Sequence, residues 1–96
     1  MLSSEDGEVL DTRAAFPISV AARRADMQIQ NLRVYERHGL LEPARTAGGT
    51  RLYSEADIEV LHRIATLLAE GLNLAGIRRV LILEAELTVL KAAAGS

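Results

Sequence analysis

The stretch Gln28-Ile-Gln-Asn-Leu-Arg-Val-Tyr-Glu-Arg-His-Gly39 decides how the rest of the chain is read. Ile29, Leu32 and Tyr35 recur at helical spacing, which predicts a helix from about Gln28 to His38 with one apolar face. Gly39 suits the left-handed residue that commonly ends such a helix. The remaining positions, Gln28, Gln30, Asn31, Arg33 and Val34, are mostly polar and face outward.

Upstream, Ser19 is placed to cap a short helix over Val20–Ala25, with Ile18 and Val20 as core candidates. Asp26-Met27 reads as the turn between the two helices. Downstream, Leu40 and Leu41 return to the core, and Pro43 prevents the helix from resuming. Arg45-Thr-Ala-Gly-Gly-Thr-Arg-Leu-Tyr53 reads as a two-stranded ribbon with a tight turn at Gly48-Gly49, where paired glycines supply positive φ. A short helix, a turn, a second helix and a glycine-tipped ribbon predict a mainly α fold: a winged helix-turn-helix with a short two-stranded β wing.

That arrangement implies a chemistry. The major groove of duplex DNA admits a helix, and each base pair displays a distinct pattern there. Gln28, Gln30 and Asn31 can bond adenine, Arg33 can bond guanine, and Val34 lies among them. Tyr35 can offer its hydroxyl to a phosphate. Arg45 and Arg51, on the ribbon, are placed to neutralise phosphates beside the groove. Each also has a reading without DNA, Tyr35 as a half-buried core residue and the arginines as solvated surface charge.

Beyond the ribbon, Ser54 and Asp57 have capping-box spacing. Ile58, Leu61, Ile64, Ala65 and Leu68 predict the apolar stripe of a third helix, closed by Gly71. Asn73 caps a fourth helix carrying Ile77, Val80, Leu83, Leu87 and Leu90. Positions 80, 83, 87 and 90 follow the alternating spacing of a coiled-coil seam, so this helix is expected to dimerise. The organisation predicted is a flexible acidic N-terminal tail at 1–16, a winged helix-turn-helix at 17–76 and a dimerisation helix at 77–96.

Composition narrows the functional classes. The chain has 96 residues, no cysteine and a formal net charge of −2. Without thiolates there is no disulfide framework, cysteine zinc site or thiol sensor. His38 and His62 have no ligand-spaced neighbours, so neither a metal nor a cofactor is expected. No nucleophile–base pair or phosphate loop points to an enzyme. The net charge hides an uneven distribution. Residues 18–53 hold Arg23, Arg24, Arg33, Arg37, Arg45 and Arg51 against Asp26, Glu36 and Glu42. A local basic patch, not the chain total, governs phosphate contact. With no secretory or membrane-spanning pattern, a cytoplasmic protein without membrane contact is expected.

Three segments carry a resemblance: Asn31-Leu-Arg-Val-Tyr-Glu-Arg-His-Gly-Leu-Leu41, Gly49-Thr-Arg-Leu-Tyr-Ser-Glu-Ala-Asp57 and Glu70-Gly-Leu-Asn-Leu-Ala-Gly-Ile-Arg-Arg-Val80. In order and spacing they resemble the DNA-binding domain of the MerR family over residues 18–83. The last segment is most similar to the heat-shock repressor (HspR) branch. The resemblance implies that Arg33, Tyr35, Arg51 and Tyr53 contact DNA or stabilise the wing. It also implies an antiparallel homodimer on an inverted-repeat operator, and the chaperone DnaK as a protein corepressor. The chain departs from the family at Val34, where a second tyrosine is common, at Asp26, where glycine is common, and at Gln28, where Ser or Thr often caps. It ends soon after Leu90, so no effector domain is expected. Two other readings stay open: a winged-helix protein–protein adaptor, and an effector-less structural DNA binder.

Overall fold

The computed structural model describes residues 13 and 15–95. Helices α1 (Ile18–Ala25) and α2 (Ile29–Arg37) precede strands β1 (Ala44–Arg45) and β2 (Arg51–Leu52), and helices α3 (Glu55–Ala69) and α4 (Leu74–Ala94) follow. The core is almost wholly aliphatic, built from Ala21, Ala22 and Ala25 of α1, Leu32 and Tyr35 of α2, Leu40, Leu41 and Tyr53 of the connections, Ile58, Leu61, Ile64 and Leu67 of α3, and Ile77 of α4. The three alanines are the contact face of α1, and their small side chains let the neighbouring helices approach closely.

The tail expected at 1–16 lies mostly outside the described residues, but its last two residues belong to the fold. Ala15 and Phe16 both donate backbone N–H to the Tyr53 carbonyl at 2.9 Å, and Tyr53 donates back to Phe16 at 2.7 Å. Phe16 thus forms an antiparallel bridge with Tyr53, immediately after β2.

Ser19 does not cap α1. The helix begins at Ile18, and Pro17 takes the cap position without a side-chain hydrogen bond. The Pro17 carbonyl accepts from the Val20 and Ala21 amides, both at 3.0 Å. Proline has no N–H to leave unsatisfied there, and its fixed φ feeds the chain into the helix.

Helices α1, α2 and α3 all end by the same device. Asp26, Gly39 and Gly71 take positive φ. The next residue donates back to a carbonyl five positions earlier: Met27 to Ala22 at 2.9 Å, Leu40 to Tyr35 at 2.9 Å, Leu72 to Leu67 at 3.1 Å. This is the Schellman pattern, whose following residue is typically apolar and folds onto the helix. Met27, Leu40 and Leu72 all do so. Asp26 is the exception in chemistry, a side chain held at φ 58 where glycine carries no Cβ penalty.

The wing is shorter and looser at its tip than the paired glycines suggest. The strands pair Ala44 with Leu52 and Arg45 with Arg51. Thr46 donates to the Thr50 carbonyl at 2.8 Å, and Gly49 donates to Thr46 at 2.9 Å. This is a three-residue loop in which Gly49 alone takes positive φ, at 90°.

Ser54 and Asp57 complete the capping box that opens α3, each side chain accepting from the other's backbone amide. The buried face of α3 is Ile58, Leu61, Ile64 and Leu67, whereas Ala65 is exposed and Leu68 is 39% exposed. Leu67 rather than Leu68 continues the inward face, because one residue turns a helix by about 100°. Asn73 caps α4 by accepting from Gly76 at 2.8 Å. Helix α4 runs unbroken to Ala94, so the boundary expected at 76/77 falls within it. Ile77 is fully buried in the core and Val80 packs against it. Ile77 is therefore a core residue and not part of a dimerisation surface. From Ala85 onward every described residue is exposed.

Candidate nucleic-acid interface

Helix α2 stands on the core through Leu32 and Tyr35. Positions at i, i+3, i+4 and i+7 share a helix face, which places Gln30, Arg33 and Arg37 in one stripe on the opposite side, with Val34 at its edge. Gln30, Arg33 and Arg37 are exposed, and Val34 is half-buried with its side chain against the core. Gln28 and Asn31 are exposed at the N-terminal end of the helix. Among the described residues Arg33 and Arg37 make no ion pair. Arg37, which sequence alone left between solvent and contact, lies within the stripe.

Of the readings open for the two tyrosines, packing fits their burial better than contact with DNA. Tyr53 is fully buried, so it is a packing residue beneath the wing and not a DNA contact. Its hydroxyl has no hydrogen-bond partner among the described residues. Burial, and secondarily the Glu36 charge, hold that phenol above its ordinary pKa. Tyr35 is 6% exposed, and burial raises its pKa as well. Its ring fixes α2 on the core.

Arg45 and Arg51 lie beside α2, but they are not free cations. Both reach Glu36, on the flank of α2: Arg45 donates Nη2 to Oε2 at 2.7 Å, and Arg51 donates Nε to Oε1. Arg45 also donates Nη1 to the Gly49 carbonyl at 3.2 Å, across the tip of the wing. The carboxylate is the less exposed member, with 19% of its side chain accessible against 45% for Arg45 and 33% for Arg51. Glu36 was not among the expected site residues. A carboxylate on the flank of an amphipathic helix reads as solvated charge until the wing's position is known.

A second ion pair braces the platform from behind. Arg24 at the end of α1 makes a fork to Glu55 at the start of α3, with contacts of 2.9 and 2.7 Å. Its guanidinium carbon also lies 5.0 Å from the centroid of the Phe16 ring. The hydrogen bond to Glu55 raises the Arg24 pKa. Arg24 is thus committed to structure, whereas Arg23 is exposed and unpaired among the described residues.

No group of three or more His, Cys, Asp or Glu that could hold a metal occurs among the described residues. No helix there is long and apolar enough to cross a membrane.

Comparison with known proteins places this geometry. The chain is 44% identical over 88 residues to the heat shock protein HspR of Streptomyces coelicolor, covering 91% of this chain and 58% of that relative. Among solved structures, the transcription regulator PbrR691 from Ralstonia metallidurans CH34, in complex with lead(II), superposes with a TM-score of 0.70 at 34% identity, over 83% of this chain and 69% of that one. HiNmlR, a MerR family regulator lacking the sensor domain and bound to promoter DNA, superposes with a TM-score of 0.65 at 28% identity, over 78% of this chain and 57% of that one. The model of the MerR HTH family of regulatory proteins matches residues 16–83. That span runs from the Phe16 bridge through the helix-turn-helix, the wing and the start of α4, and the chain belongs to the MerR HTH family.

Proposed function

We propose that this protein is a sequence-specific DNA-binding transcriptional regulator that acts as a repressor. The observation that carries this reading is the outward stripe of α2. Gln30, Arg33 and Arg37 leave their polar groups to solvent, on a helix rigidly seated by Leu32 and Tyr35, with two wing arginines alongside. Such a helix fits the major groove, and the wing arginines fit the flanking backbone. The DNA-bound state of the HiNmlR neighbour supports the same docking.

The protein acts as a homodimer, in the cytoplasm, on an operator with inverted half-sites. Support comes from the distal part of α4, where Leu83, Leu87 and Leu90 are 60%, 50% and 66% exposed. Leucines at that spacing on a helix projecting from its domain call for a partner helix. Two-fold symmetry then imposes symmetry on the operator. The likeness to HspR extends the proposal to DnaK as a corepressor.

Selection of bound fragments from random-sequence duplex DNA tests the reading. A recovered motif with two inverted half-sites, bound less tightly as salt rises, is the expected result. Failure to enrich any sequence, or retention indifferent to salt, would overturn it. Co-purification of DnaK with the tagged chain tests the corepressor, and its absence removes that part alone.

A further inference from the structure

We infer that Glu36 is a positioning residue that sets the specificity of DNA binding by fixing the wing arginines against the recognition helix. The inference rests on the DNA-binding reading above and adds a residue that touches no DNA itself.

Glu36 is the point at which three separate pieces of chain meet. It lies on α2, within the same turns as Arg33 and Arg37, and it holds Arg45 of β1 and Arg51 of β2. The strands are two residues each, too short to fix their own orientation. One carboxylate shared between facing arginines therefore does what strand length cannot. It ties the wing to the groove-reading helix, so that a base read by α2 and a phosphate met by the wing are held at one fixed separation.

The way the nitrogens are used is specific. Arg51 gives Glu36 its Nε, and neither terminal nitrogen has a partner among the described residues. A guanidinium held by Nε leaves its end-on edge, the pair of terminal nitrogens, free as a planar fork suited to a phosphate. Arg45 spends Nη2 on Glu36 and Nη1 on the Gly49 carbonyl, so it serves mainly to hold the wing tip. The cluster of two cations and one anion keeps a single net positive charge. That lowers indiscriminate attraction to DNA while leaving one oriented donor pair. A carboxylate beside a phosphate-binding surface weakens binding to any duplex, so it is favourable here only through the geometry it imposes.

Two effects of removing Glu36 oppose each other, and they separate by probe. On the duplex recovered by selection, Glu36→Gln is expected to bind about tenfold more weakly, with a salt dependence shallower by about 0.9 because one phosphate is no longer neutralised. On a scrambled duplex of the same length, binding is expected to stay the same or tighten. Arg51→Lys keeps the charge but cannot bridge carboxylate and phosphate through one planar group. It is expected to reproduce the loss of discrimination, and the double variant to lose no more than either single one. Circular dichroism and thermal melting identify any variant that fails to fold. Equal weakening on both duplexes, additive losses, or tighter binding to the selected duplex would each overturn the role of Glu36. Wild-type protein that selects no duplex would overturn the DNA-binding reading, and this inference with it.

Discussion

Arg63 on α3 and Glu84 on α4 form a forked ion pair, with Nη2 2.5 Å from Oε2 and Nε 3.2 and 3.1 Å from the two carboxylate oxygens. The pair ties α4 to the domain where the helix leaves it. The hydrogen bond from Arg63 holds the Glu84 carboxyl below its ordinary pKa. A carboxyl depressed in the folded state stabilises the fold above its unfolded pKa of about 4.3 and loses that contribution as pH falls through the lower folded value. Both side chains are 41% exposed, so solvent screens the pair and its effect is small. Melting temperature should decline on acidification below about pH 5, and Glu84→Gln should flatten part of that decline at low salt. Superimposable curves for the two proteins would show that the pair contributes nothing.

Arg33 allows the proposed DNA contact to be tested apart from folding. It is exposed, makes no ion pair among the described residues and lies on the outward stripe of α2. Arg33→Ala should weaken binding to the selected duplex by about tenfold or more, the size expected of one base or phosphate contact. Its melting temperature should stay within a degree or two of the parent, since exposed substitutions usually change stability by less than about 0.5 kcal/mol. Unaltered affinity in an electrophoretic shift assay would remove Arg33 from the interface.

Tyr53→Phe should leave DNA affinity unchanged and stabilise the protein by up to about 1 kcal/mol. The hydroxyl is buried without a partner among the described residues, and an unsatisfied buried donor costs free energy that phenylalanine avoids. Denaturant unfolding measures the change. A loss of stability would mean that the hydroxyl is satisfied in solution.

Asp26→Gly should raise stability by about 0.5–1 kcal/mol. Asp26 holds the left-handed conformation that Gly39 and Gly71 hold at the other two helix ends, and a Cβ is penalised there. Asp26→Val should cost at least as much in the opposite direction, because a branched Cβ is worse still. Chemical denaturation midpoints for the two variants should fall on either side of the parent. The same order for both would mean that the turn rearranges.

Leu87→Lys should abolish the proposed self-association. Leu87 is half exposed on a stretch of α4 whose described residues are all exposed, and a charge in an apolar seam is costly. Sedimentation should change from dimer to monomer, with melting no longer dependent on protein concentration. An unchanged dimer would place the interface elsewhere.

Much of the fold was legible in the residues. Helical spacing in α2 and α3, the Ser54–Asp57 box, the Asn73 cap and the Gly39 and Gly71 stops are local signals, written within a few positions of one another. What stayed hidden depends on residues far apart in the chain. Phe16 looks like tail until Tyr53 is beside it. Glu36 looks solvated until the wing arginines arrive. Ile77 lies one helical turn before Val80 and so reads with the seam residues, and the fold of the preceding helices puts it inside. The errors at Ser19 and Leu68 have another cause: each lies one or two positions from the correct residue, and spacing alone fixes a boundary or a face no better than that.

The Phe16–Tyr53 bridge has a consequence for the order in which the molecule assembles. Its two residues flank the helix-turn-helix and the wing, so pairing them closes a loop around both helices. The entropy of that closure is lost before the pairing offers any return. Helices α1 and α2, joined by the Asp26 turn, can dock on purely local contacts. The Phe16–Tyr53 pairing is therefore expected to form after α1 and α2 have docked, as a late phase in refolding. A chain truncated to begin at Pro17 would leave Tyr53 without the backbone partner that closes it.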